Sequence, residues 1–334
     1  LQSPFSLQFF QAAERMERTL AVGVTSVREA GGSDAGVREA RDRGLIAGPR
    51  MQVSLTMLSQ TGGHGDSWEI CGGFMPGMSD AHPGRPHNIV DGPDEMRRKV
   101  RELIRADADV IKVATTGGVM SSRSRPQHAQ FRPDELDVLV AEASAAERFV
   151  MAHAQGTQGI RNAINAGIRS IEHGIYLDDE TIEMMLDAGT WLVPTLIAPM
   201  GVLEAVDRGV EIADQVIAKA TEVVGIHRDS VSRAMAAGVK IAMGTDSGVT
   251  PHGQNLRELA EMAKLGMSGD QVLRSSTTVA ADLLGVSDDL GTIQTGKLAD
   301  LVIWDGSDLD VSDMRSRIHT VIQGGAVVAG RAGD

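Results

Sequence analysis

Four residues of types that bind metals or transfer protons stand at the carboxyl ends of short apolar runs. They are Lys112 in VIKVA, His153 in FVMAHAQG, His173 in SIEHG and Asp246 in VKIAMGTD. Imidazole is the most common protein ligand of zinc-like ions, and a carboxylate can bind such an ion or accept a proton from water. Each run has the composition of a buried strand and precedes a helical pattern. Because such strand ends meet at one edge of a parallel α/β fold, the four side chains predict a metal site there.

Each of these residues also has a plainer interpretation. Lys112 lies in an otherwise apolar strand, where an unpaired ammonium is unfavourable. Reaction with carbon dioxide would turn it into a carbamate, an anionic oxygen ligand able to bridge two metal ions. The alternative is an ordinary lysine that forms an ion pair with Glu172 or Asp246. For His153 and His173, the alternative is a structural histidine held by hydrogen bonds. For Asp246, the alternative is a helix N-cap or a turn residue.

The elements that must position these residues alternate between strands and helices. Seven strand–helix units follow one another, with strands at TSVREAGG, GPRMQVSLTML, VIKVA, FVMAHA, SIEHG, TWLVPTL and VKIAMGTD. This alternation predicts an α/β fold with a parallel sheet, namely a distorted (β/α)8 TIM-type barrel whose first strand is missing from this chain. We expect the barrel domain to span residues 1–285. Short β segments with turn glycines predict part of a small β-sandwich domain at 286–334.

The composition argues against several classes of protein. The net charge is −13 with no basic block, so neither nucleic acid nor an anionic membrane surface is an expected partner. No apolar stretch is long enough to span a bilayer. The single cysteine, Cys71, permits no internal disulfide and is interpreted as an idle thiol, or alternatively as a nucleophile. We expect a cytoplasmic homo-oligomer that acts on a small molecule.

The motifs, in their order along the chain, resemble those of the amidohydrolase superfamily of metal-dependent hydrolases. They are TSVREAGG, SQTGGHGD, VIKVATTGGVMS, MAHAQG, SIEHG, GTDSG and GTIQTGKLADLVIWDG. The resemblance covers nearly the whole chain. Within the superfamily, the chain resembles more narrowly the Xaa-Pro and Xaa-Arg dipeptidase-like branch with its ochratoxin-hydrolysing relatives. It implies two zinc ions, with Lys112 as the carboxylated bridging lysine and His153 and His173 as ligands of the second ion. Asp246 would bind the first ion and carry a proton to the leaving amine.

The resemblance also indicates residues that contact the substrate. His64 in TGGHGD would help to bind a carboxylate or carbonyl group, although a loop histidine that caps a turn is the alternative. From residue type alone, Arg123 and Arg125 in the loop after Lys112 could hold a free carboxylate, with solvated loop charges as the alternative. Tyr176, just after His173, is a candidate for the mouth of the site. Relatives specific for proline or basic residues often carry tyrosine where this chain has Gln155, which weakens the prediction of that substrate preference.

One departure from the family pattern concerns the first metal ion. The family holds that ion with a His-x-His pair at the end of the first strand, and none of the nine histidines here forms such a pair. We expect a chain trimmed just after that strand, with a mononuclear or inactive variant as the alternative. The predicted function is metal-dependent hydrolysis of an amide bond in a dipeptide or N-acyl amino acid. A cyclic-amide hydrolase, a deaminase and a non-catalytic ligand-binding barrel remain as alternatives.

Overall fold

The computed structural model describes residues 4–68, 81–121 and 123–330. As the sequence predicts, strands and helices alternate along most of the chain, which confirms the α/β class. The first seven strands are β1 (Ser26–Glu29), β2 (Arg50–Val53), β3 (Met57–Leu58), β4 (Val110–Ala114), β5 (Phe149–Ala154), β6 (Ser170–His173) and β7 (Trp191–Val193).

Helices accompany these strands, as the helical patterns after the apolar runs predict. They are α1 (Leu7–Ala21), α2 (Ala35–Asp42), α3 (Pro93–Arg105), α4 (Pro133–Ala145), α5 (Thr157–Asn165), α6 (Asp179–Ala188), α7 (Ile197–Asp207), α8 (Asp214–Ala237), α9 (Arg257–Lys264), α10 (Gly269–Ser276) and α11 (Thr278–Leu284). Helices α7 and α8 are separated by a turn in which Gly209 has φ +82°. In the described part of the chain, no helix has the length and apolar character needed to cross a membrane.

The main sheet is parallel and has the strand order β3-β4-β5-β6-β7. Strands β1 and β2 form a separate parallel pair. The run GPRMQVSLTML, predicted as one strand, is divided into β2 and β3 because Leu55 adopts a left-handed backbone with φ +67°. Within the described residues, strand pairing does not continue from one strand to the next around a complete ring. The strand order is therefore consistent with a TIM-type barrel, but a closed barrel is not shown.

The predicted strand VKIAMGTD is much shorter in the structure than in the sequence pattern. Ile241 makes a single parallel bridge with Leu192 of β7, which extends the order of the main sheet by one position. The next residues leave the ladder, since the Met243 amide donates to the Ser275 carbonyl at 2.9 Å and Asp246 turns into a left-handed backbone with φ +50°. The segment still delivers Asp246 to the carboxyl edge of the sheet.

The core lies between the main sheet and its helices. Its fully buried members are aliphatic, including Leu58, Ile111, Val113, Ile171 and Leu192 from the sheet region and Val100, Leu103, Leu136, Leu139 and Ile160 from the helices. Strands that are apolar on both faces are typical of a parallel sheet covered by helices. This packing fixes the strand ends, on which the candidate site depends.

The last part of the chain forms a small antiparallel sheet. Its elements are β8 (Leu301–Trp304), α12 (Met314–Arg317), β9 (Ile318–Gln323) and β10 (Ala326–Gly330), with the strand order β10-β9-β8. Ile318 and Val321 of β9 pack with Leu20 and Val22, which lie at the end of α1 and just beyond it. The change to short antiparallel strands thus follows the predicted boundary near 286, while the division into two domains stays a prediction.

Candidate metal and catalytic site

The register of the sheet brings together the side chains that the sequence singled out. Ala114 at the end of β4 pairs with His153, and Ala154 at the end of β5 pairs with His173. Lys112 lies two residues before the end of β4, and Asp246 follows the bridge beside β7. Because the strands are parallel, their carboxyl ends open on one edge, where functional side chains of such folds meet.

Hydrogen bonds orient the two strand-end imidazoles. The Nε2 N–H of His153 donates to the Gly117 carbonyl at 3.0 Å, and this assigns the tautomer because a carbonyl only accepts. The Nδ1 atom of His173 lies 2.7 Å from the Thr195 hydroxyl. Within the described residues, Nδ1 of His153 and Nε2 of His173 make no hydrogen bond. Histidines that bind metals typically hold their second nitrogen in this way.

A third imidazole completes the cluster. The ring of His64 stacks on that of His153 with centroids 4.1 Å apart, and His153 meets His173 edge-to-face at 4.8 Å. Gln130 holds the loop that carries His64, because its side-chain oxygen accepts a hydrogen bond from the His64 amide at 3.1 Å. The Nδ1 atom of His64 is buried and has no hydrogen-bond partner in the described part of the chain. The predicted substrate residue therefore lies against the predicted metal ligands.

Burial keeps these imidazoles neutral. It lowers the pKa of His153 and His173 well below the usual value, and positive charge on neighbouring groups, including Lys112, adds to the effect. Burial and the charge of Lys112 lower the pKa of His64 to about 4. Neutral imidazole is the form that binds a metal ion or donates a single hydrogen bond at neutral pH.

Lys112 is a buried cation, and the anion Asp246 is close enough for the two charges to affect each other. Burial lowers the pKa of Lys112, and the negative charges of Glu172 and Asp246 oppose this shift. Burial raises the pKa of Asp246, against the opposing charge of Lys112. Nevertheless, the Lys112 ammonium makes no hydrogen bond or ion pair with any residue that the structure describes. The alternative of a simple Lys112–Glu172 or Lys112–Asp246 ion pair stays a prediction, because both charges attract Lys112 without a direct contact in this structure.

Glu172 is instead neutralised by a residue that the sequence analysis missed. Arg28 of β1 donates to Glu172 Oε1 at 2.8 Å and to the Ser170 hydroxyl at 3.1 Å, and that hydroxyl donates to Glu172 Oε1 at 2.6 Å. All three side chains are buried. The missed signal was a charged residue inside the alternating run TSVREAGG, which predicts an inward-facing arginine in need of a partner.

The backbone at the site is strained at three successive strand ends. His173, Thr195 and Asp246 have φ values of +75°, +54° and +50°. Threonine is β-branched, so the left-handed region is especially unfavourable for it. Residues in such conformations cluster at active sites, where the surrounding structure holds them. The strain therefore supports placing the functional site at this edge.

The donor atoms fit a zinc-like ion in chemical type. His153 and His173 each present an unbonded nitrogen, and the carboxylate of Asp246 and the amine of Lys112 lie near them in charge interaction. No group of three or more His, Cys, Asp or Glu side chains among residues 4–68, 81–121 and 123–330 is arranged to hold a metal ion. The oriented imidazole pair is the part of a metal site that these residues supply.

Two predicted substrate residues are engaged elsewhere. Arg123 donates to the Trp68 carbonyl, and its guanidinium lies 4.8 Å from the centroid of the Trp68 ring. The Tyr176 hydroxyl donates to Glu222 Oε1 at 2.9 Å and accepts from Gln127 at 2.7 Å. Burial and the Glu222 carboxylate raise the pKa of Tyr176. Cys71 lies outside the described residues.

Comparison with known proteins identifies relatives of similar sequence and fold. Ochratoxinase from Aspergillus niger is 36% identical over 301 residues, which make up 86% of this chain and 61% of that protein. The chain thus spans less than two thirds of the length of this relative. The crystal structure of A. niger ochratoxinase superposes with a TM-score of 0.83 at 33% identity, covering 98% of this chain and 76% of that chain.

A second solved structure is a Xaa-Pro dipeptidase with bound methionine in the active site. It has a TM-score of 0.87 and 34% identity, and the match covers 98% of this chain and 81% of that chain. The profile described as the amidohydrolase family, whose members are generally metal-dependent, matches residues 7–330. With its parallel sheet, its strand-end histidines and this match over nearly its whole length, the chain belongs to the amidohydrolase family.

Proposed function

We propose that this protein hydrolyses an amide bond in a dipeptide or an N-acyl amino acid. The observation that carries the proposal is the pair of buried imidazoles, His153 and His173, each oriented by a hydrogen bond on one nitrogen and unbonded on the other. Asp246 supplies a carboxylate at the same edge. Similarity to ochratoxinase and to a Xaa-Pro dipeptidase supports amide hydrolysis as the reaction class.

His153 Nδ1, His173 Nε2, Asp246 and a carbamate on Lys112 would hold the metal ions, which we propose to be two zinc ions. When bound, such ions supply Lewis acidity toward the amide carbonyl. Burial suits Lys112 to carbamate formation because only the neutral amine reacts with carbon dioxide, and burial favours that form. The neighbouring Glu172 forms no direct ion pair with Lys112 in this structure, and its carboxylate pairs with Arg28 instead.

Asp246 carries the proton in this mechanism. Its carboxylate accepts a proton from the water that attacks the amide carbonyl carbon, and it then delivers that proton to the nitrogen of the leaving amine as the C–N bond breaks. Burial raises its pKa, which strengthens the carboxylate as a base. The two products are a carboxylic acid and an amine, and Asp246 returns to its starting state.

His64 is the proposed contact to the substrate. Its imidazole is neutral and stacks on His153, and its buried Nδ1 atom has no hydrogen-bond partner in the described part of the chain. It is therefore suited to one hydrogen bond with a carbonyl or carboxylate of the ligand. Arg123 and Tyr176 remain proposed contacts to a free carboxylate. For either to serve, its side chain must leave the partner that it has in this structure.

A substrate panel tests the proposal. Dipeptides and N-acyl amino acids are compared with the same compounds in which the α-carboxylate is amidated, and metal content per chain is measured on protein purified with bicarbonate and without chelator. We expect bound metal and hydrolysis that requires the free carboxylate. Hydrolysis of cyclic amides or deamination instead would contradict the substrate class. Ligand binding without turnover would favour a non-catalytic barrel.

Two variants connect the reaction to the site. His153→Asn should abolish hydrolysis and Asp246→Asn should reduce it by about 10²–10⁴-fold. Asp310→Asn, at an exposed aspartate, should leave it unchanged. Full activity in Asp246→Asn would contradict the proposed proton transfer even if metal is bound.

A further inference from the structure

The loop that follows β4 is folded tightly against the histidine cluster. Thr116 bridges to Ala129, and the Gly117 amide donates to the His128 carbonyl at 2.9 Å. A Cβ on Gly117 would lie 2.3 Å from the Arg125 carbonyl, so only glycine lets the chain come this close. These contacts make the base of the loop a narrow hairpin above His153.

A lysine of α8 holds this loop from the outside. The Lys219 ammonium donates to three backbone carbonyls of the loop, those of Gly118 at 3.0 Å, Ser121 at 2.5 Å and Ser124 at 3.1 Å. An ammonium has three N–H donors, and here all of them are used on a single loop. No carboxylate pairs with Lys219 in the described part of the chain, and the three carbonyls are its hydrogen-bond partners there.

An apolar contact joins the same helix to the same loop. Val119 is buried in a small cluster with Val216, Ala220 and Val223 of α8. The loop is thus fixed to α8 by Val119 on one side and by Lys219 on the other. Without the ammonium, three carbonyls would lose their donor while the apolar contact stayed in place.

The held segment in turn contacts two imidazoles of the site. The Gly117 carbonyl accepts the hydrogen bond that orients His153 at 3.0 Å. Gly118 packs flat against His64, since a Cβ there would lie 2.3 Å from His64 Cε1. Lys219 donates to the carbonyl of Gly118, the residue that packs against His64. The adjacent residue, Gly117, is the one that orients His153.

We propose that Lys219 is a positioning residue that fixes the tautomer and orientation of His153, and the stacking of His64, by holding the Gly117–Gly118 segment. The inference rests on the proposed function for the roles of His153 and His64. It adds that the site depends on a side chain that contacts neither the metal ligands nor the substrate.

Histidine ring NMR tests the inference without substrate. Long-range 1H–15N spectra of the full chain, as purified, report which ring nitrogen of His153 carries the proton, and the spectrum of His153→Asn assigns its signals. The variants are Lys219→Met, which keeps the aliphatic stem, and Lys219→Arg, which keeps the charge. The matched control is Lys297→Met, because Lys297 also donates to two backbone carbonyls, those of Ser287 at 2.5 Å and Leu290 at 3.3 Å, away from the site.

We expect a single Nε2–H pattern for His153 in the wild type, Lys219→Arg and Lys297→Met, and loss of that pattern in Lys219→Met. An unchanged pattern in Lys219→Met would overturn the inference and leave the proposed hydrolysis standing. Conversely, a lost pattern in a protein that hydrolyses nothing would support the inference and refute the function. If Lys219→Met does not fold, Lys219→Gln replaces it under the same criteria.

Discussion

Arg28 and Glu172 form a buried ion pair at 2.8 Å between β1 and β6, beside the candidate metal ligand Lys112. The pair links a strand of the small two-stranded sheet to a strand of the main sheet. Because Ser170 also bonds both partners, the two charges are well satisfied. Glu172 is thereby kept from pairing with Lys112, which stays without an ion-pair partner among the described residues.

Replacing Arg28 should destabilise the fold strongly. Arg28→Met leaves the Glu172 carboxylate buried and unpaired, so we expect a loss of about 3–5 kcal/mol in the free energy of unfolding, measured by urea denaturation. The double variant Arg28→Met/Glu172→Gln removes the isolated charge and should recover a large part of that loss. If Arg28→Met is as stable as the wild type, the Glu172 carboxylate does not depend on Arg28 for its stabilisation in the folded protein.

Asp246→Asn should reduce hydrolysis by about 10²–10⁴-fold, because an amide cannot carry the proton. Asparagine tolerates the left-handed backbone at this position, so the fold should persist. The measurement is kcat with the best substrate of the panel, together with the thermal unfolding temperature. Equal loss of activity and of folded protein would point to a structural role instead.

Glu258 should make stability fall as pH rises. It is fully buried in α9, and burial raises its pKa from 4.5 to about 8, although its oxygens accept hydrogen bonds from the Leu196 and Ile197 amides. The folded state therefore holds a proton that the unfolded state releases above pH 4.5. Between this pH and about 8, the free energy of unfolding should decrease, by up to about 1.4 kcal/mol per pH unit from this residue.

The variant Glu258→Gln isolates this contribution, because glutamine stays neutral across the range and keeps one acceptor oxygen. Urea denaturation of the wild type and the variant at pH 5, 6, 7 and about 8 gives two stability curves. We expect the free energy of unfolding of the variant to increase relative to that of the wild type as pH rises. Parallel curves would mean that Glu258 titrates at its ordinary pKa in the folded protein.

Gly118→Ala should disturb the histidine cluster from outside. The new Cβ would lie 2.3 Å from His64 Cε1, so the ring must move away from His153, and we expect hydrolysis to fall by about 10²-fold. Gly225→Ala is the matched control, since this glycine of α8 has open space around its Cβ position. It should keep full activity and gain roughly 0.5–1 kcal/mol of stability.

The strand-end residues could be placed from the sequence because their surroundings are local. Short runs of valine, isoleucine and alanine followed by helical patterns fix Lys112, His153 and His173 on neighbouring parallel strands. The strand before Asp246 was overestimated, because an apolar run does not show where its amides find other partners. Met243 bonds Ser275 instead of a strand.

Contacts that depend on loop folding could not be predicted. His64 lies in a long glycine-rich loop without periodicity, so nothing in the sequence indicates that its ring stacks on His153. Lys219 occupies a helix whose pattern predicts an ordinary solvated lysine. Arg28 is the exception, because an arginine in an alternating strand already calls for a buried acidic partner.

The left-handed backbones of His173, Thr195 and Asp246 have a consequence for engineering heat tolerance. Glycine at any of the three would relieve about 1–2 kcal/mol of strain, so a screen for thermostable variants would be drawn to these positions. Each such gain would remove an imidazole, the hydroxyl that orients His173, or the proton-carrying carboxylate. Selections for heat resistance alone should therefore yield inactive proteins here, and useful stabilising substitutions should be sought on exposed helical faces such as that of Gly225.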